Sequence, residues 1–172
     1  MMWPWLSLAS LLCSTSPIPV TSLQRNPVFS GIVVEVMDGD LIKVKTKDAG
    51  SHVVQLWGTD APEADQPFGP AAKKYLKQMV LNKSVVVSSY GRTGWVSVST
   101  EDTLTKPIVV NERMVSAGYA WWQRLPDNPE LRIDASTLVK AEEAARKSKV
   151  GLWSRADAVA PWEWKKRGKS GG

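Results

Sequence analysis

The sequence predicts a small α+β protein, a β-barrel of five short strands with about three helices. Three observations carry this reading: five apolar or alternating runs of strand length, an apolar stripe at helical spacing between the third and fourth of them, and two further helical patterns after the fifth. Gly31–Met37 and Asp40–Lys45 alternate as two strands, and the Asp38-Gly39 dipeptide between them predicts a hairpin. A third strand, Val53–Trp57, follows the polar turn 47–51 and runs into the loop Gly58–Glu63.

Pro70 stands where the first turn of a helix tolerates a missing N–H, and Ala72, Tyr75, Leu76, Met79 and Val80 form its apolar stripe. Ser84–Ser89 and Trp95–Ser99 are the fourth and fifth strands, joined through the turn 90–94. A short helix is predicted over Asn111–Ala117, with Asn111 as cap and Gly118 as stop. A last helix runs from Ser136, or Asp134, to Lys149, with Leu138, Ala141, Ala144 and Ala145 inward and Gly151 as its left-handed stop.

The chain has 172 residues, 43% of them hydrophobic, enough for one core. Its net charge of +5 and pI near 9.4 favour polyanionic partners, nucleic acid or an anionic membrane face. No charged side chain precedes Arg25, and Trp5–Leu12 is apolar but too short to span a bilayer. Residues 1–22 therefore have the form of a signal peptide cut after Val20-Thr21-Ser22, giving a secreted or periplasmic protein with no stable membrane span after processing. A mobile apolar arm and an uncut anchor are the alternatives. The domain then covers residues 23–164, and 165–172 form a basic flexible tail.

The single cysteine, Cys13, lies in that leader, so the processed chain has no disulfide and no cysteine-based zinc site. The single histidine, His52, cannot supply a paired acid and base. Hydrolytic chemistry here has to run on carboxylates, arginine and metal. Asp38 and Asp40, Asp60 and Glu63, and Arg92 fall in loops or strand ends, where a barrel presents reactive groups. Taken singly, each segment is more often a plain turn.

In this order and spacing, VMDGDLIKV (36–44), LWGTDAPE (56–63), QPFGPAA (66–72), YGR (90–92), VNE (110–112), GYAW (118–121), AE (141–142), GLW (151–153) and PWEW (161–164) resemble the staphylococcal-nuclease family over roughly residues 29 to 164. The resemblance implies a five-stranded OB-fold barrel and a calcium-dependent nuclease acting on DNA, and on RNA, with little sequence preference. It implies Asp40, Asp60 and the backbone carbonyl of Ala61 as ligands of one Ca²⁺, with Mg²⁺ or Mn²⁺ as substitutes. A hard cation wanting about 6–8 oxygens can be completed by water and phosphate. Glu63 would be the general base for water, and Arg92 a planar fork on the scissile phosphate.

The departures matter as much. Gln55 stands where the family carries its other phosphate-gripping arginine, and a neutral amide does not replace a bidentate cation. Leu41 replaces a usual Thr or Ser, and Ser88-Ser89 follow a shortened loop before Arg92. Arg124 is a candidate compensating cation and equally a solvated loop charge. Tyr90, Arg92, Lys165, Lys166 and Arg167 are candidate nucleic-acid contacts. Of the nine tryptophans, Trp121, Trp153, Trp162 and Trp164 suit packing more than base stacking. A nucleic-acid-binding OB module with weak or no hydrolysis is the alternative to an enzyme; an inert scaffold has no use for these residues together. No protein partner is implied.

Overall fold

The computed structural model describes residues 27–48, 50–98, 107–123 and 135–169. The expected leader 1–22, Arg124, Asp134 and Ser99 lie outside the described residues, as does the side chain of Tyr90. In chain order the elements are β1 (Val28–Asp38), β2 (Leu41–Lys45), β3 (Ser51–Leu56), β4 (Thr59–Asp60), α1 (Gly69–Val80), β5 (Ser84–Tyr90), β6 (Thr93–Val98), β7 (Ile108–Val109), α2 (Val110–Ser116), β8 (Trp121–Trp122), α3 (Ser136–Lys147) and α4 (Pro161–Lys169), with a 3-10 turn at Gly151–Ser154.

The barrel forms because β1 serves two neighbours. Its first half pairs with β5 (Phe29↔Val87) and its second with β2 (Val36↔Ile42), and register shifts after Val33 and Val36 bend it between the two. The antiparallel order β3-β2-β1-β5-β6 then closes on itself through a short parallel pairing of β3 with β6, Gln55↔Thr93 and Leu56↔Gly94. Closure leaves these five strands with few free edges. Alternation along them sends Val33, Val36, Ile42, Val44, Val54, Leu56, Val85, Val87, Val96 and Val98 into one core.

The helices cover that core as their stripes dictate. α1 buries Ala72, Leu76 and Val80, with Tyr75 and Met79 half-buried at the margin. α3 buries Leu138, Ala141 and Ala145. Ala144 is exposed, contrary to expectation, because its position falls beyond the edge of the stripe those three define. Lys149 (φ 52°) turns left-handed after α3 two residues before the expected stop at Gly151 (φ 56°). Gly151 answers to packing as well as to its left-handed φ: a Cβ there would strike the backbone oxygen of Gly118.

Two further expectations are corrected. Asn111 is not a cap. It sits inside the first turn of α2, fully buried, and its amide accepts from the Val96 N–H (2.9 Å) and donates to the carbonyls of Trp57 (2.9 Å) and Gly94 (3.1 Å). One side chain thus ties α2 to β6 and to the end of β3. Asn111→Ala leaves one N–H and two carbonyls short of these partners in a dry interior. Unfolding in urea should show a loss of about 2–4 kcal/mol; an unchanged midpoint and slope would contradict that role.

The second correction concerns the expected flexible tail from Lys165. Residues Lys165 to Lys169 continue α4. Pro161 at its start and Glu163 in its first turn suit a helix N-terminus. Long-range bonds then hold it to the barrel: the Trp164 indole N–H donates to Asp65 Oδ1 (3.2 Å), and Gln66 Nε2 donates to the Val159 carbonyl just before the helix (2.6 Å).

Candidate active site

Three consecutive chain segments build one end of the barrel. The β1–β2 turn carries Asp38 and Asp40, with the Gly39 N–H bonded to Asp38 Oδ1 (2.8 Å). Gly39 does not take up a left-handed φ. Close approach is what excludes a side chain there, since a Cβ would lie 2.6 Å from the Ala61 methyl and 3.1 Å from that of Ala72. The hairpin turn is therefore pressed onto the segment after β4 and onto α1.

The end of β3 leads to the second segment. Leu56 N–H donates to the Asp40 carbonyl (2.8 Å), and the Thr59 hydroxyl donates back to the Leu56 carbonyl (2.9 Å), so the chain turns sharply and delivers Asp60 on β4. β4 pairs with β8, Asp60 opposite Trp121. Asp60 is 4% exposed. The Ala61 N–H points to Asp40 Oδ2 at 3.5 Å, a weak bond that nonetheless brings the two aspartate segments together.

Glu63 begins the third segment and is held by a reciprocal turn. Its N–H donates to Gln66 Oε1 (3.1 Å), and the Gln66 N–H donates to the Glu63 carbonyl (2.9 Å). Gln66 is itself buried, and Gly69 fits under Glu63 because any Cβ would strike the Glu63 carbonyl. The Glu63 carboxylate meets Lys165 of α4, Oε1 to Nζ 2.9 Å.

Burial and mutual repulsion set the electrostatics. Desolvation, then the charges of Asp60 and Asp38, push Asp40 up to about 7, against bonds from the Ala61 N–H and the Gln55 side chain that favour its ionised form. Asp60 rises to about 6, chiefly by burial; Lys165 opposes the rise, while Glu63 and Asp38 add to it. Half-buried Asp40 and buried Asp60 are a like-charged pair, which a bound divalent cation would offset. Among the described residues no group of three or more His, Cys, Asp or Glu side chains is arranged to hold a metal. An ion here would draw two carboxylates and a carbonyl from the chain and the rest of its shell from water and phosphate, which suits calcium's tolerance of loose oxygen shells.

Gln55 and Arg92 lie on the same rim. The Gln55 N–H donates to the Arg92 carbonyl (3.1 Å) across the barrel seam, and the Gln55 amide bonds to Asp40. Arg92 follows the left-handed Gly91 in the β5–β6 turn and is exposed to solvent. Asp40, Asp60, Glu63 and Gln55 therefore come together, with the Arg92 backbone beside them. Lys166 instead pairs with Glu163 along α4 (2.9 Å), and Arg167 lines a cavity of about 430 Å³ with Phe68, Trp121 and Trp164. The place of Lys165 at the carboxylates carried no local signal, because it depends on how α4 folds back. Asp38 acts on both other aspartates, and its place in the Asp-Gly-Asp turn was the available sign.

A closed five-stranded barrel with a carboxylate cluster on one rim defines an OB-type protein with a polar site at the barrel end. Residues 53–155 match the family described as Staphylococcal nuclease homologue. Protein ParB of Escherichia coli is 37% identical over 144 residues, covering 79% of this chain and 78% of that protein. An uncharacterized endonuclease of Escherichia coli is 33% identical over 138 residues (80% and 85%), and micrococcal nuclease of Shigella flexneri is 33% identical over 150 residues (83% of each). The chain belongs to the staphylococcal nuclease homologue family. The matched stretch takes in Gln55, Asp60, Glu63 and Arg92.

Proposed function

We propose that the protein is a calcium-dependent nuclease that hydrolyses phosphodiester bonds in DNA and RNA with little sequence preference, exported by its N-terminal segment. The observation that carries this reading is the pairing of half-buried Asp40 with buried Asp60, set beside Glu63 on the barrel rim. Asp40, Asp60 and the Ala61 carbonyl would hold the ion, which supplies positive charge to a phosphate oxygen when bound. Glu63 takes the proton of the attacking water through a carboxylate oxygen. Arg92, exposed at the rim, offers two parallel N–H donors to the phosphate as its charge builds. Nothing in this arrangement reads a base edge, so the sugar-phosphate backbone is what the site recognises.

The neutral Gln55 favours a second reading, a binding module that grips nucleic acid without cutting it. One assay separates the two. Purified protein is incubated with plasmid, single-stranded DNA and RNA in Ca²⁺, Mg²⁺, Mn²⁺ or chelator. The expected result is cleavage of the nucleic acids in Ca²⁺ that chelation abolishes. Retarded but intact nucleic acid under every metal would instead establish the binding module. Export predicts that protein recovered from the periplasm or medium begins near Leu23; only cytosolic protein with an intact Met1 would refute it.

A further inference from the structure

By sequence Lys165 is one of several loose basic contacts, yet its ammonium lies 2.9 Å from Glu63 Oε1. An exposed ion pair of this length usually contributes little to stability. This one is placed differently. α4 is fixed to the Glu63 loop from both sides, by Gln66 to the Val159 carbonyl and by the Trp164 indole to Asp65, so Lys165 arrives in a set register one residue after an anchored tryptophan. The loop side is equally constrained, since Gln66, which holds the Glu63 N–H, is the residue that bonds to the α4 approach. Lys165 also feels the charges of Asp60 and Asp40, and its own pKa is raised first by the bond to Glu63.

We propose that Lys165 is a positioning residue for hydrolysis: it holds Glu63 through one carboxylate oxygen and leaves the other to accept the proton of the attacking water. This rests on Glu63 being the base of a nuclease. A glutamate side chain turns about three bonds, and a misplacement of an ångström at a reacting group can slow chemistry roughly 10²-fold. Gln55 brings no charge to the rim, and the lysine offsets part of the negative charge of Glu63, Asp60 and Asp40.

The test is a kinetic comparison at saturating calcium on one labelled oligonucleotide, using the full chain. Lys165→Met keeps the length of the side chain and removes its charge; kcat should fall roughly 10–100-fold with KM within a few-fold. Lys165→Arg should recover most of the rate. In a Glu63→Gln background, Lys165→Met should cost almost nothing further, because its effect passes through Glu63. Lys140→Met, an exposed charge lost from α3, should match the parent. Thermal melts check that α4 stays folded, and Lys165→Gln stands in should the methionine variant fail to fold.

A raised KM with unchanged kcat, an equal loss in both backgrounds, or a faster enzyme without Lys165 would each overturn the proposal. If Glu63→Gln is inactive while Lys165→Met cuts at the parent rate, this inference alone falls. If Glu63→Gln cuts at the parent rate, the assignment of Glu63 falls and this inference with it.

Discussion

Glu63→Gln should lower kcat roughly 10²–10⁴-fold, the contribution typical of a positioned general base, while KM for a short oligonucleotide stays within a few-fold. The substitution is nearly isosteric. The new amide would keep an oxygen for Lys165 to bind and leave the backbone turn with Gln66 untouched, since that turn uses the main chain of Glu63. What is lost is a group that can take a proton from water. Glu63→Asp provides the complementary case, retaining the chemistry but withdrawing the carboxylate by one methylene from Lys165 and from the water. Its rate should fall between parent and amide. Cleavage by Glu63→Gln at the parent rate would remove Glu63 from the mechanism and shift the search for the base to the remaining rim carboxylates.

The barrel was largely legible because alternation is a local property. Val33, Ile42, Val44, Val54, Val85, Val87 and Val96 each sit at the interval that one buried face of a strand demands, and Ala72, Leu76 and Val80 sit four apart, on one face of the α1 helix. Asp40, Asp60 and Glu63 were legible as turn residues and through a family resemblance, and the first two converge because β3 pairs with β2 and the sharp turn after β3 brings β4 back beside the β1–β2 turn. Other features had no local trace. The segment Trp162-Glu163-Trp164-Lys165-Lys166-Arg167 shows no apolar stripe, and what holds it lies 93 and 99 residues away, at Gln66 and Asp65. Its composition alone therefore resembled a solvated tail. Asn111 misled for the opposite reason: its type suits a helix cap, and only the packing of α2 against β3 and β6 reveals that its amide satisfies buried backbone groups instead.

Gln55, read from the sequence as a lost charge, has a second role in the structure. Its amide bonds to Asp40 and favours the ionised carboxylate, so the residue supports the acidic pair it adjoins. The site consequently sets half-buried Asp40 against buried Asp60 with weak compensation, a cost to folding that binding a cation would relieve.

That cost makes Asp40→Asn a substitution with opposite effects on stability and activity. In the metal-free protein Asp40 is raised from its ordinary 3.8 to about 7, so the folded state binds this proton more tightly than the unfolded chain does. Stability associated with the group is fully present below about pH 4 and is lost as the pH rises towards and through 7. Above that window ionisation of Asp40 works against folding, by about 2–4 kcal/mol once coupling to Asp60 is allowed for. An amide cannot ionise. In chelator at pH 8, Asp40→Asn should therefore melt at a higher temperature than the parent, and the gain should shrink as the pH is lowered through 6 and 5 and disappear near 4. On the proposed cation site, adding calcium should reverse the comparison: the parent should gain stability with the logarithm of the ratio of free ion to dissociation constant, whereas the variant, lacking one carboxylate, should respond much less. Cleavage by the variant should drop roughly 10²-fold or more at calcium concentrations that saturate the parent. An Asp40→Asn protein that is no more stable than the parent at pH 8 in chelator would show that the aspartate pair carries no such strain. A variant that keeps both the calcium-induced shift in melting temperature and the parent cleavage rate would take Asp40 out of the cation site.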